Sequence, residues 1–253
     1  MGTPITRILS TRPLAAALLE QAAGSGMLID TLPFIATEPI VDATLRHQIR
    51  DLSRQPLVAI FTSMNAVEAV ARQLGLSVDG LTGAGSETGS LQTTAHAINW
   101  QIFCIGYATR QLVHEYFGED RIAGTAASAA ALADIIIGQH RKEVFFFCGD
   151  QRREELPEKL QQQNIRVNEW EVYTTVHTPH QVDPVYDGIV FFSPSAVHSF
   201  FSVNSIADST LLFAIGQTTA DTIRTYTANR TICSQSPEKE ALIRQVIHHY
   251  KKI

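Results

Sequence analysis

Small hydroxyls recur along this chain at one kind of place. Thr62 and Ser63 follow the apolar run Leu57–Phe61, and Thr109 follows Gln101–Ile105. Ser193 and Ser195 adjoin Gly188–Phe192, and Thr218 and Thr219 follow Leu211–Ile215. In each case a strand should be turning into a helix. A Ser or Thr there caps the helix by accepting an orphan N–H, worth ~1 kcal/mol. The same hydroxyls, with the free N–H groups of a helix start, also make a cradle for an anion. Capping alone accounts for any one of them. Several such ends facing a common cleft would suit a ligand with several carboxylates.

Two further places could carry chemistry. Tyr173 stands in Glu171-Val-Tyr-Thr-Thr-Val-His177, a β-prone stretch that ends at Pro179. It reads either as a half-buried interface aromatic or as a phenol that gives a proton or hydrogen bond to a leaving oxygen. Gly149-Asp-Gln-Arg152-Arg153-Glu-Glu-Leu156 follows another apolar run. It reads either as a solvated first turn or as an arginine pair that binds carboxylates. GxxxxGK[ST], GxGxxG after a strand and GxSxG are absent, so nucleotide-loop and serine-hydrolase chemistry have no support. His177 and His180 lack partners for a metal site, and no CxxC occurs.

These residues need elements to hold them. Apolar runs alternate with helical spacing throughout. Ile8-Leu9 precedes a helix over about 14–23. Leu57–Phe61 precedes a helix with Val67, Val70 and Leu74, and Gln101–Ile105 precedes one with Leu112, Val113, Tyr116 and Phe117. Leu132, Ile135 and Ile136 mark another helix. Val144–Cys148 precedes a helix with Pro157 in its first turn. Pro237 and Glu238 open a last helix that runs through Tyr250. Continuous apolar strands between amphipathic helices predict parallel sheets covered on both faces, which bind ligands at the carboxyl ends of their strands.

The two halves echo each other. Phe61-Thr-Ser-Met-Asn-Ala-Val67 resembles Phe191-Phe-Ser-Pro-Ser-Ala-Val197, and Cys104-Ile-Gly-Tyr-Ala-Thr109 resembles Ala214-Ile-Gly-Gln-Thr-Thr219. Ser63 to Gly106 spans 43 residues against 23 for Ser193 to Gly216, which predicts two similar α/β units, one carrying an insertion. The glycine-rich stretch Gly80–Gly89 is that insertion, read as a mobile surface loop.

Composition narrows the class. With 20 Lys and Arg against 25 Asp and Glu, the net charge of −5 argues against a surface built to grip nucleic acid. Of the 20 basic residues 15 are Arg, so a local anion site remains open. Three Cys cannot all pair with one another and read as reduced, buried thiols of a cytoplasmic protein. No apolar run is long enough to span a membrane, and Leu14–Leu19 reads as the first helix, not a signal core.

In order and spacing, several pieces together resemble the uroporphyrinogen-III synthase family. They are Thr11-Arg12-Pro13, Phe61-Thr-Ser with Ala66-Val67, Ile105-Gly with Ala108-Thr109, Cys148-Gly-Asp-Gln-Arg-Arg-Glu-Glu-Leu-Pro157, Val172-Tyr-Thr-Thr-Val176, Phe192-Ser-Pro-Ser195 and Ala214-Ile-Gly with Thr218-Thr219-Ala220. Phe192 departs from the hydroxyl that many members carry there. The resemblance implies two doubly wound parallel-sheet α/β domains joined by a two-stranded antiparallel linker. One domain would comprise 1–34 plus 178–253 and the other 37–172, with linkers near 32–37 and 173–178. It implies dehydrating cyclisation of hydroxymethylbilane, with inversion of the terminal pyrrole ring, to uroporphyrinogen III in heme biosynthesis. No cofactor and no metal would be used. The partner would be a linear tetrapyrrole with eight carboxylates, and the protein a cytoplasmic monomer. Tyr173 would be the catalytic acid. Arg12, Thr62, Ser63, Thr109, Arg152, Ser193, Ser195, Thr218 and Thr219 would bind substrate. The alternatives are a non-catalytic two-domain binder of a polycarboxylate, and a receiver or flavodoxin-like module.

Overall fold

The computed structural model describes residues 5–76, 98–236 and 238–251. Gly80–Gly89 and Pro237 lie outside the described residues. In chain order the described elements begin with β1 (Thr6–Ser10), α1 (Ala16–Ala23), β2 (Met27–Thr31), β3 (Ile35–Pro39), α2 (Ala43–Ser53), β4 (Leu57–Phe61) and α3 (Met64–Leu74). There follow β5 (Trp100–Ile105), α4 (Tyr107–Phe117), a 3-10 turn (Glu119–Arg121), β6 (Ile122–Ala126), α5 (Ala129–Gly138), β7 (Glu143–Gly149), α6 (Glu155–Gln161) and β8 (Arg166–His177). The last are β9 (Gly188–Phe191), α7 (Pro194–Phe201), β10 (Leu211–Ala214), α8 (Gln217–Arg224), β11 (Thr231–Cys233) and α9 (Lys239–Lys251).

The chain packs as two units. The first is Met1–Ala36 with Val176–Ile253, and the second is Thr37–Thr175. The first holds a parallel sheet in the order β11-β10-β9-β1-β2. The second holds a sheet in the order β3-β8-β7-β4-β5-β6, parallel from β8 to β6. The boundaries between units fall inside β3 and β8, which lie side by side. Phe34 carbonyl accepts from Thr178 N–H, and Val172 carbonyl accepts from Ile40 N–H, both at 3.0 Å. Numbers rising on one strand and falling on the other make this pair antiparallel.

The strands are apolar throughout because both of their faces are covered. In β4 all five residues are buried. Leu57, Ala59 and Phe61 pack in one core with Ala66, Val67, Val70 and Leu74 of α3 and Val113 and Phe117 of α4. Val58 and Ile60 face the other way, into a core with Leu132 and Ile136 of α5 and Leu156 and Leu160 of α6. The period of two along a strand divides the run between the two layers. The first unit repeats the scheme. Leu9, Ile189, Phe191 and Leu212 pack with α7 and α8, while Ile8, Val190 and Phe213 pack with α1 and α9.

Spacing misplaced some boundaries. The first helix starts at Ala16 and not Leu14, with no side-chain cap. Phe192 and Ile215 fall just beyond their strands, where the chain turns into α7 and α8. Strands β2, β6 and β11 carry at most three apolar residues in a row, and each is a sheet edge, where one side of the backbone lacks a partner strand.

Candidate functional site

In doubly wound sheets, ligands bind beyond the carboxyl ends of the strands where the strand order reverses. In the second unit the chain leaves β4 for β5 on one side and later places β7 on the other, so the reversal lies between β4 and β7. Ser63 follows β4 and Gly149 ends β7. Tyr173, from the neighbouring β8, is brought to both.

The local geometry explains how. Pairing of β7 with β8 runs regularly to Cys148 opposite Glu171, then slips so that Gly149 faces Tyr173. Such a bulge places one extra residue in a strand and re-aims the side chains beyond it. Val172 and Tyr173 consequently pack against the same core, which successive residues of a regular strand cannot do. The ring of Tyr173 lies directly on the backbone of Gly149. A Cβ there would stand 2.4 Å from ring carbons Cε2 and Cζ and 2.9 Å from the phenol oxygen, so no larger residue leaves the ring in place. Asp150 N–H donates to the Tyr173 carbonyl at 3.3 Å, and Thr175 N–H donates to Asp150 Oδ1 at 2.9 Å. Ser63 Oγ accepts from Ala66 N–H at 3.2 Å and donates to Tyr173 Oη at 3.2 Å.

A second tyrosine shows the opposite arrangement. Tyr186 donates its proton to Asp30 Oδ2 at 2.9 Å. Burial, reinforced by that carboxylate, pushes its phenol up to about 12. Its proton is committed inside the fold, whereas the Tyr173 oxygen receives one.

In the first unit the reversal lies between β1 and β9. Thr11 donates both its N–H and its hydroxyl to the Val190 carbonyl, at 3.0 and 2.9 Å. Ser10 Oγ donates to the Arg12 carbonyl at 2.6 Å, and the Arg12 side chain is left exposed. Ser193 caps α7, accepting from Ala196 N–H at 3.2 Å, and Ser195 is buried in the first turn.

The remaining hydroxyls divide by role. Helices α4 and α8 begin at Gly106 and Gly216, which carry no side chain to cap them. Thr109 and Thr219, third in those helices, are buried, Thr218 is exposed, and Thr62 is half-buried beside Ser63. Arg152 is engaged. Its guanidinium pairs with Glu169 of β8, lies 3.4 Å from Glu154, and holds its proton more tightly through the Glu169 bond. Glu169 was not visible as a partner from spacing, nor was the role of Gly149. The cue for the latter was a glycine at a strand end.

Cys104 and Cys148 are buried, and burial raises them to about 11 and about 12, so neither is a thiolate at neutral pH. Among the described residues, no group of three or more His, Cys, Asp or Glu could hold a metal ion, and no helix is long and apolar enough to cross a membrane.

A family model described as uroporphyrinogen-III synthase HemD matches residues 16–244. The chain belongs to the uroporphyrinogen-III synthase family. Uroporphyrinogen-III synthases are cofactor-independent cyclising lyases of porphyrin and heme biosynthesis. The reaction is dehydrating cyclisation of hydroxymethylbilane with inversion of its terminal ring. Family membership decides against the non-catalytic binder. The fold is similar to the crystal structure of uroporphyrinogen-III synthetase from Helicobacter pylori 26695, with TM-score 0.62 and 14% identity, covering 96% of this chain and 99% of that one. It is also similar to a mutant uroporphyrinogen III synthase from the extremely thermophilic bacterium Thermus thermophilus, with TM-score 0.56 and 14% identity, covering 98% and 99%. No curated protein sequence matches the chain.

Proposed function

We propose that in this uroporphyrinogen-III synthase Tyr173 protonates the departing hydroxyl of hydroxymethylbilane. The observation that supports this is the phenol at the strand-order reversal of the second unit, its oxygen accepting from Ser63. A tyrosine whose oxygen already accepts a hydrogen bond keeps its own O–H for a ligand. The hydroxyl leaves as water once it gains that proton, and the electron-rich pyrrole takes up the positive charge as an azafulvenium ion. Attack by a substituted ring carbon, fragmentation and re-closure invert the last ring. The carbon that closes the macrocycle gives up a proton, which restores the phenol. Most of the task is positioning, with acid help typically worth ~10²–10⁴-fold.

The carboxylate arms are assigned to the strand-end turns. In the first unit these supply Arg12, Ser193, Ser195, Thr218 and Thr219, and in the second Thr62 and Thr109, with the Ser63 hydroxyl engaged by Ala66 N–H and Tyr173. Main-chain N–H groups at the helix starts carry much of the binding. Arg152 joins them only when Glu169 releases it. The same reading keeps the protein a monomer in the cytoplasm with no nucleic-acid partner.

The test is separation of type I and type III uroporphyrins after hydroxymethylbilane is incubated with the protein, with Tyr173→Phe, and without protein. The protein should give type III, and closure without it should give type I. Tyr173→Phe should fold, lose about 10²-fold in rate and still give type III. Turnover of folded Tyr173→Phe near that of the wild type removes Tyr173 as the acid. A shift to type I means that it steers substrate folding instead.

A further inference from the structure

Resting on the reading of Tyr173 as the acid, we infer that Ser63 is a positioning residue that fixes which way the phenol proton points. The hydrogen-bond pattern gives the direction, with Ser63 as acceptor on one side and donor on the other. A main-chain N–H can only donate, so the Ala66 N–H at 3.2 Å claims a lone pair of Ser63 Oγ. The single hydroxyl proton of Ser63 is then free to donate, and Tyr173 Oη stands 3.2 Å away. The phenol oxygen accepts it. With Ser63 as donor, the phenol proton points elsewhere and stays available to a ligand.

The ring has little freedom to escape this order. It lies on the backbone of Gly149, in the space that a side chain there would need. The bulge after Cys148 turns Tyr173 toward the core that also holds Val172. The first turn of α3 is therefore a cap for the helix and a holder for the acid at once.

The test is a double-mutant cycle read as kcat and KM with hydroxymethylbilane. Ser63→Ala should lower kcat about tenfold, the usual size of one lost hydrogen bond, with KM changed by less than about twofold. Ser63→Thr keeps the hydroxyl and should restore kcat to within about threefold. In a Tyr173→Phe background, Ser63→Ala should cost less than about twofold, since the proton it orients is gone. Gly149→Ala, which displaces the ring but leaves Ser63 intact, should lower kcat in the wild type and add little to Tyr173→Phe. An equal loss on Ser63→Ala with and without the phenol would overturn the inference, because Ser63 would then act by itself. A rise in KM at constant kcat would overturn it too, by making Ser63 a binding group. Wild-type turnover by Tyr173→Phe is a different outcome, which defeats the acid reading itself.

Discussion

The turns after β4 and β9 read Phe61-Thr-Ser63 and Phe191-Phe-Ser193, and each serine caps its helix by accepting an N–H at 3.2 Å. Each turn also lies at the strand-order reversal of its unit. What differs is what lies across the sheet edge. Ser63 meets Tyr173, 110 residues further along the chain. Across from Ser193 stands the Thr11 turn, closed on the Val190 carbonyl, with Arg12 exposed beyond it. One architecture thus places a phenol at one turn and a guanidinium at the other. The repeated scaffold is the same in both units, and the partner strand decides the chemistry.

The likeness is best broken first at its shared anchor. Phe61 stacks on Phe147 at 5.3 Å, and Phe191 meets Phe200 edge-on at 5.5 Å, with Phe61 and Phe191 both fully buried. Phe61→Ala and Phe191→Ala should each cost about 3–5 kcal/mol, measured by chemical denaturation. A loss under about 1 kcal/mol at either would show that the two turns are not anchored alike.

The caps should then separate stability from turnover. Ser63→Ala and Ser193→Ala should each lose ~1 kcal/mol of stability. Turnover should fall about tenfold for the first and about threefold or less for the second. Equal turnover losses would erase the difference between the turns.

The tyrosines provide a pH test. Tyr186 and Tyr250, both in the first unit, are raised to about 12, Tyr186 by burial and Asp30, Tyr250 by burial and Asp187. An unfolded tyrosine titrates near ~10. A folded value above the unfolded one stabilises the fold fully below pH of about 10, and that contribution is lost as pH rises from about 10 to about 12. The denaturant midpoint should therefore fall between about pH 9 and about pH 11, and Tyr186→Phe should fall less steeply. A steeper fall in Tyr186→Phe would mean that this phenol is not held neutral by its surroundings.

The smallest effect concerns Arg152. Glu169→Gln weakens the pair that holds the guanidinium and should lower KM by about twofold to threefold, since a partly exposed pair is worth ~1 kcal/mol or less. An increase in KM would show that Glu169 aims Arg152 at substrate.

Much of this was legible in the sequence. The apolar runs at Leu57–Phe61, Val144–Cys148 and Gly188–Phe192 announced buried parallel strands, because only a strand covered on both faces is apolar at every position. Ser63 and Ser193 could be read as caps, since a cap needs only the residues three positions on. Tyr173 was singled out as a candidate acid by motif, and the structure places it beside Ser63. The edge strands β2, β6 and β11 were not legible, because a strand with one neighbour needs no continuous apolar run. Nor was the bulge between Cys148 and Gly149, a slip in pairing that either strand read singly leaves unmarked. That slip turns Tyr173 to the face of Val172, lays it on Gly149 and brings it to Ser63. Local spacing determined which residues could donate, accept and cap. Tertiary structure decided which of them meet, because register between strands and the committed partners of Arg152 and Tyr186 are set by segments far apart in the chain.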